Sequence, residues 1–242
     1  MYTDAKLAVV NELFKPIRRK FKRRRTIIKG IDDLWQMDLA QFDDFVEENN
    51  GFRYLLVIID CFSKYMWVKA LKSKSADDVL EGFKNILKEA ALNQHHSPKN
   101  LCSDQGKEFF NKKFENITKK YKINHYCTYS IKKSAIVERS IRTIKTRLYK
   151  LLSLHGTHKW ISLIDNVVSD YNNTIHSTIN FKPKDVDKVK ESIILRNVYT
   201  NMKIQGPTKY QVGNIVRISK AKHLFEKGYT PNWTTEHFKI KK

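Results

Sequence analysis

Apolar residues recur along this chain at spacings that separate helix from strand. From Ser134 to Leu154, Val137, Ile141, Ile144, Leu148 and Leu151 step by four and three, the stripe an amphipathic helix buries. A second row on that stretch, Glu138, Arg142, Lys145 and Tyr149, sets one carboxylate ahead of two cations on the exposed side. Taken on the helix alone, Glu138 and Arg142 read as an ordinary i,i+4 ion pair. Over Ile31 to Phe42 the period drops to two: Leu34, Gln36, Asp38 and Ala40 alternate with Trp35, Met37, Leu39 and Gln41. That alternation predicts a strand, and Asp38 near its middle is a poor strand former that calls for a reason.

The same pattern predicts the elements that follow. Tyr54 to Asp60 and Tyr65 to Leu71 read as strands joined by a tight turn at Cys61 to Lys64, giving a three-stranded antiparallel meander. Ser75 with Asp78 three residues on forms a capping-box pattern, and Val79, Phe83, Ile86 and Leu87 line a helix to about Leu92. A polar loop holding His95 and His96, a short strand at Asn100 to Ser103, a helix at Asn111 to Tyr121 and a strand at Ile123 to Tyr129 come next. Trp160 to Tyr171 is a further amphipathic helix. Beyond Pro183 periodicity weakens, and Val212 to Ser219, with Phe225 and Trp233, predicts a few short strands. The opening segment Ala5 to Phe14 fits either a helix or a remnant.

Composition adds a partner to this outline. Lys and Arg number 46 against 25 Asp and Glu, a formal charge of +21 in 242 residues, which points to a polyanion and first of all to nucleic acid. Eight of the eleven residues from Lys15 to Arg25 are cationic, including Arg18, Arg19, Arg23, Arg24 and Arg25. This arm reads as a phosphate-contacting extension, a nuclear import signal or a solvated linker. No apolar run is long enough to span a bilayer and no apolar signal segment opens the chain, so neither a membrane nor secretion is expected. Cys61, Cys102 and Cys127 show no paired spacing and are expected to be buried reduced thiols.

Three acids then stand out by position. Asp38 lies within the first strand, Asp104 follows the fourth, where open sheets place functional groups, and Glu138 sits early in a late helix. Asp60, at a strand end before a turn, is expected to be structural, and Gly106 to serve the turn after Asp104. His95 and His96, with no cysteine partner, are not expected to bind metal.

With WQMDLAQF, YLLVIIDCFSKYMWV, SDQGKEFFN, SAIVERSIRTIK and DYNNTIHSTINFKPKDV in this order, residues 31–190 resemble the ribonuclease H-like catalytic core of retroviral-type integrases and of their relatives in Polinton-class and retrotransposon elements. The resemblance implies an α/β fold with a mixed five-stranded sheet flanked by helices. It implies that Asp38, Asp104 and Glu138 are the catalytic and metal-binding triad, that Arg142 and Lys145 face DNA, and that Tyr171, Asn172 and His176 match a family segment. Three converging carboxylates suit Mg²⁺, with Mn²⁺ as a substitute, and two ions about 4 Å apart clamp an in-line displacement at phosphorus. The implied chemistry is nicking of element DNA ends and joining of their 3′ hydroxyls to target DNA, by a homo-oligomer on DNA, in the nucleus after passage through the cytoplasm, without a small-molecule cofactor. The tail from Val212 resembles the start of a small SH3-like or chromo-like β-barrel. The expected organisation is therefore an N-terminal segment and arm at 1–30, the core at 31–190, and a linker with an incomplete β module at 191–242. Two alternatives stand beside the enzyme: a decayed or domesticated element-derived DNA-binding protein, and a nuclease acting on RNA in hybrids.

Overall fold

The computed structural model describes residues 3–15, 26, 28–127, 134–199, 210–220 and 231–241. The chain divides into two compact units, Ile27–Asn201 and the combination of Met1–Thr26 with Met202–Lys242. In the second of these, helix α1 (Asp4–Phe14) ends against the C-terminal tail. Asn232 N–H donates to Leu13 O at 2.9 Å and Trp233 Nε1 donates to Lys15 O at 2.8 Å, satisfying carbonyls that a helix end leaves without intrahelical partners.

The larger unit is built on one sheet. Strands β1 (Leu34–Gln41), β2 (Tyr54–Asp60) and β3 (Met66–Leu71) form the predicted antiparallel meander. Helix α2 (Ala76–Leu92) leads to β4 (Asn100–Ser103), and α3 (Lys112–Lys120) leads to β5 (Asn124–Cys127). Both later strands run parallel to β1, so the sheet is mixed and ordered β3-β2-β1-β4-β5. Helices α4 (Ala135–His155) and α5 (Ile164–Asn173) complete the layers, followed by a short helix α6 (Lys188–Ile194).

Burial follows from the sheet having helices on both faces. Leu56 and Ile58 of β2 join Trp35 and Met37 of β1 in a core with Val79, Phe83 and Ile86 of α2. The alternate residues Leu55, Val57 and Ile59 pack on the other face with Val137, Ile144 and Leu148 of α4. A strand covered on both faces has no polar side, which is why β2 reads as an unbroken apolar run. Each fully buried Phe or Ile here stabilises the fold by about 1.5–3 kcal/mol. Ser75 accepts from Asp78 N–H as the capping pattern predicts, and α4 stops at Gly156, whose φ of 59° a glycine adopts freely.

Several expectations change. Helix α5 starts at Ile164 rather than Trp160, because residues 160–163 form a turn that sends the Trp160 ring into the core, 5.1 Å from Phe42. Strand β3 starts at Met66 rather than Tyr65, and α6 carried no periodic signal. Strand β5 covers 124–127, with 128 and 129 outside the described residues. In the tail, Ile215–Val216 (β6) pairs with Phe238–Lys239 (β7), and Ser219 bridges Trp233, while Phe225 lies outside the described residues. Cys61 and Cys102 are buried thiols as expected, but Cys127 is only half-buried.

The loop at His95 is polar in sequence and largely exposed in structure, but His95 itself is buried. His95 is 6% exposed, and its Nδ1 lies 2.7 Å from Asp32 Oδ1, which also accepts from Trp35 Nε1 at 3.0 Å. Asp60 is fully buried and accepts from Phe62 N–H, Ser63 N–H and the Ser63 hydroxyl, with burial pushing its carboxyl up to about 6. Asp60 therefore caps the β2–β3 turn, the structural role expected of it.

Candidate active site

Two of the three acids belong to neighbouring parts of the sheet. Gln36 of β1 pairs with Cys102 of the parallel strand β4; Asp38 stands two residues further along β1, and Asp104 follows the last residue of β4. Asp38 shares the face of β1 that carries Gln36 and Ala40, the face on which α4 packs. Glu138 lies in the first turn of α4 and is exposed. Asp38 is pushed up to about 6, first by burial and then by the charges of Asp104, Glu138 and Glu108, against one bond from Leu39 N–H at 2.8 Å. Asp38 thus feels the charge of the two other acids singled out by position in the sequence, and of a fourth, Glu108.

The loop after β4 explains Glu108. Gly106 N–H donates to Asp104 Oδ1 at 3.2 Å, and a Cβ on Gly106 would run into the Glu108 carboxylate, so the glycine leaves room for that side chain. Behind the loop, the Ser103 hydroxyl donates to Asp104 O at 2.9 Å and lies 2.9 Å from His125 Nε2. Burial pushes His125 down to about 4, so its ring is neutral at pH 7 where it shares a hydrogen bond with the Ser103 hydroxyl. Neither Ser103 nor His125 stood out in the sequence, because the pairing depends on β5 lying beside β4.

The cations on α4 take different positions. Arg142 is exposed, and among the described residues no ion pair joins it to Glu138, so the helix-only reading of an i,i+4 pair does not describe this structure. Lys145 Nζ donates to Gln41 O at 2.9 Å and sits 4.8 Å over the Phe42 ring, tying α4 to the end of β1. Arg18, Arg19, Arg23, Arg24 and Arg25 lie outside the described residues. Tyr171 is buried with α4, Asn172 bonds to the backbone of Met66 and His176 accepts from Thr178 N–H.

As a donor set, Asp38, Asp104 and Glu138 are hard carboxylates that no ion pair holds among the described residues, which suits a hard divalent cation. A different trio, Asp32, Asp60 and His95, has ligand atoms within 4.8 Å of one another, a spacing that fits a metal site. Its carboxylates already accept six hydrogen bonds from the protein, which a cation would have to compete with.

The crowding of Asp38 has a measurable sign. In the folded protein it keeps its proton to about 6, against 3.8 as its ordinary value, so its contribution to stability is present at low pH and lost as pH rises through that window. In metal-free buffer at pH 7.5, Asp38→Asn is expected to be more stable than the parent by about 1–2 kcal/mol after allowing for partial solvation. Near pH 4 the two should melt together; a parent at least as stable as the variant at pH 7.5 would contradict the crowding.

Residues 30–131 match the integrase core domain family. Over these residues the chain is similar to a retroviral-type integrase core. A transposon-derived protein of Caenorhabditis elegans is 35% identical over 193 residues, covering 79% of this chain and 64% of that protein. The Gag-Pol polyprotein of woolly monkey sarcoma virus is 36% identical over 149 residues, covering 61% of this chain and 8% of the polyprotein. The chain therefore spans under two thirds of the length of either relative. Among solved structures, the HTLV-2 integrase catalytic core domain in complex with magnesium aligns with a TM-score of 0.52 at 20% identity, over 66% of this chain and 97% of that one. A simian T-cell lymphotropic virus intasome chain aligns with a TM-score of 0.56 at 15% identity, over 96% of this chain and 80% of its own. These two likenesses show the ribonuclease H-like fold.

Proposed function

We propose that this chain is a polynucleotidyl transferase that nicks DNA near element ends and joins the freed 3′ hydroxyl to target DNA. The observation that supports the reading is that the charges of Asp104 and Glu138 reach Asp38, with Asp38 on a central strand, Asp104 just after the parallel strand beside it and Glu138 at a helix start. In this reading Asp38, Asp104 and Glu138 hold Mg²⁺, or Mn²⁺ in its place, as two ions. The bound metal supplies charge neutralisation for the attacking and leaving oxygens at phosphorus. The chain's own residues orient the strand: Ser103 and His125 fix the Asp104 peptide, and Arg142, then Lys145, offer cations to the phosphates. The trimeric HTLV-2 structure and the intasome support assembly as a homo-oligomer on DNA. The basic arm supports nuclear import, and the β6–β7 pair supports an SH3-like or chromo-like module in the tail. No helix among the described residues is long and apolar enough to cross a membrane.

The deciding experiment is nicking and strand transfer on a short labelled duplex with Mg²⁺ or Mn²⁺. The interface has its own test. Arg142→Gln and Lys145→Gln are each expected to weaken DNA binding and to flatten its log–log salt slope by about 1. A slope unchanged in both variants would remove these residues from the interface.

A further inference from the structure

We propose that Gln36 is a positioning residue that locks the helix carrying Glu138 to the strand carrying Asp38, and so sets the geometry of metal binding. The inference rests on the functional reading above and deepens it.

Gln36 is 5% exposed in the central strand, with β2 on one side and β4 on the other. Its backbone is committed to these two ladders, leaving the side-chain amide to act elsewhere. Gln36 Oε1 accepts from Ile136 N–H and from Val137 N–H, both at 3.1 Å. These donors belong to the first turn of α4, where N–H groups have no partner inside the helix. The helix does not cap itself: Ser134, at its N-cap, makes no side-chain cap bond. The cap comes instead from β1.

The consequence lies in the neighbours. Glu138 follows Val137 directly, and Asp38 is two residues beyond Gln36 on the same face of β1. A single side-chain oxygen thus connects the two elements next to the acids they carry. Sliding or turning α4 would break both bonds and move Glu138 relative to Asp38. An amide suits this place because it accepts both hydrogen bonds without adding another anion to a cluster that already holds the charges of Asp104, Glu138 and Glu108 around Asp38.

The test reads metal binding without activity, as the rise in melting temperature of the full chain with Mn²⁺ concentration. Gln36→Met keeps the length and removes the acceptor, and is expected to shift the Mn²⁺ midpoint about tenfold or more upward. Gln36→Glu, which can accept both bonds, is expected to return the midpoint to the parent value or below. If Gln36→Met does not fold, Gln36→Asn, one methylene short of the two amides, takes its place with the same expected shift. A variant that lowers the metal-free melting temperature but leaves the Mn²⁺ midpoint at the parent value would make Gln36 a structural cap only and overturn the proposal. Glu138→Gln, measured alongside, separates the two claims. If it shifts the midpoint while the Gln36 variants do not, this inference alone fails; if it too leaves the midpoint unchanged, the metal-site reading fails.

Discussion

Glu138→Gln is expected to lower metal-dependent nicking and strand transfer by about a thousandfold or more, a loss of roughly 4 kcal/mol in transition-state stabilisation. The substitution keeps size and hydrogen-bonding capacity and removes one charge. Glu138 is exposed, and among the described residues no ion pair holds its carboxylate, so the fold should lose little. Its carboxylate acts instead on Asp38, across the gap between α4 and β1. Folding and DNA affinity should therefore stay close to the parent's while product formation disappears, and the thermal stabilisation by Mn²⁺ should shrink because one ligand is lost. A gel assay of labelled duplex, run beside a melt and a binding titration, separates these effects. Products unchanged in the variant would remove Glu138 from the catalytic set. Salt-sensitive DNA binding by a parent that makes no products under either metal would favour the binding-protein alternative.

The largest stability effect outside the apolar core is expected at Asn172. Strand β3 lies at the edge of the sheet and would otherwise leave backbone groups unpaired. Asn172 fills part of that edge: its Oδ1 accepts from Met66 N–H at 3.0 Å, and its Nδ2 donates to Met66 O at 2.9 Å. The amide imitates one residue of a further strand. Met66 is fully buried, so Asn172→Leu would strand a donor and an acceptor away from water, at a cost of about 2–4 kcal/mol. The melting temperature should fall by roughly 5–15 °C. Asn173→Leu is the control, since Asn173 is exposed and bonds only within its own helix, to Ser169; its effect should stay within about 0.5 kcal/mol. Equal losses in the two variants would show that the Met66 clamp contributes nothing particular.

The family segment around Tyr171, Asn172 and His176 thus has a scaffold role here. Tyr171 packs in the core beneath α4, and His176 closes a small bridge with Phe181. In the sequence these residues show only as a match to a family segment. The structure resolves Asn172 as a sheet-edge partner, a role that requires knowing which strand lies beside α5.

The sequence by itself determined what depends on local spacing. A period of two placed β1 with Asp38 inside it, an unbroken apolar run placed β2, and steps of three and four placed α4 with Glu138 in its first turn. The Ser75 cap was legible because capping is contained within four residues. The tertiary structure alone decided what depends on residues far apart in the chain. Gln36 capping α4, His125 steadying the Asp104 loop through Ser103, Asp32 holding His95, and Asn172 completing an edge strand each join elements that periodicity cannot relate. A polar side chain shows its residue type in the sequence but not its partner, and only the order and register of the strands bring that partner within hydrogen-bonding distance.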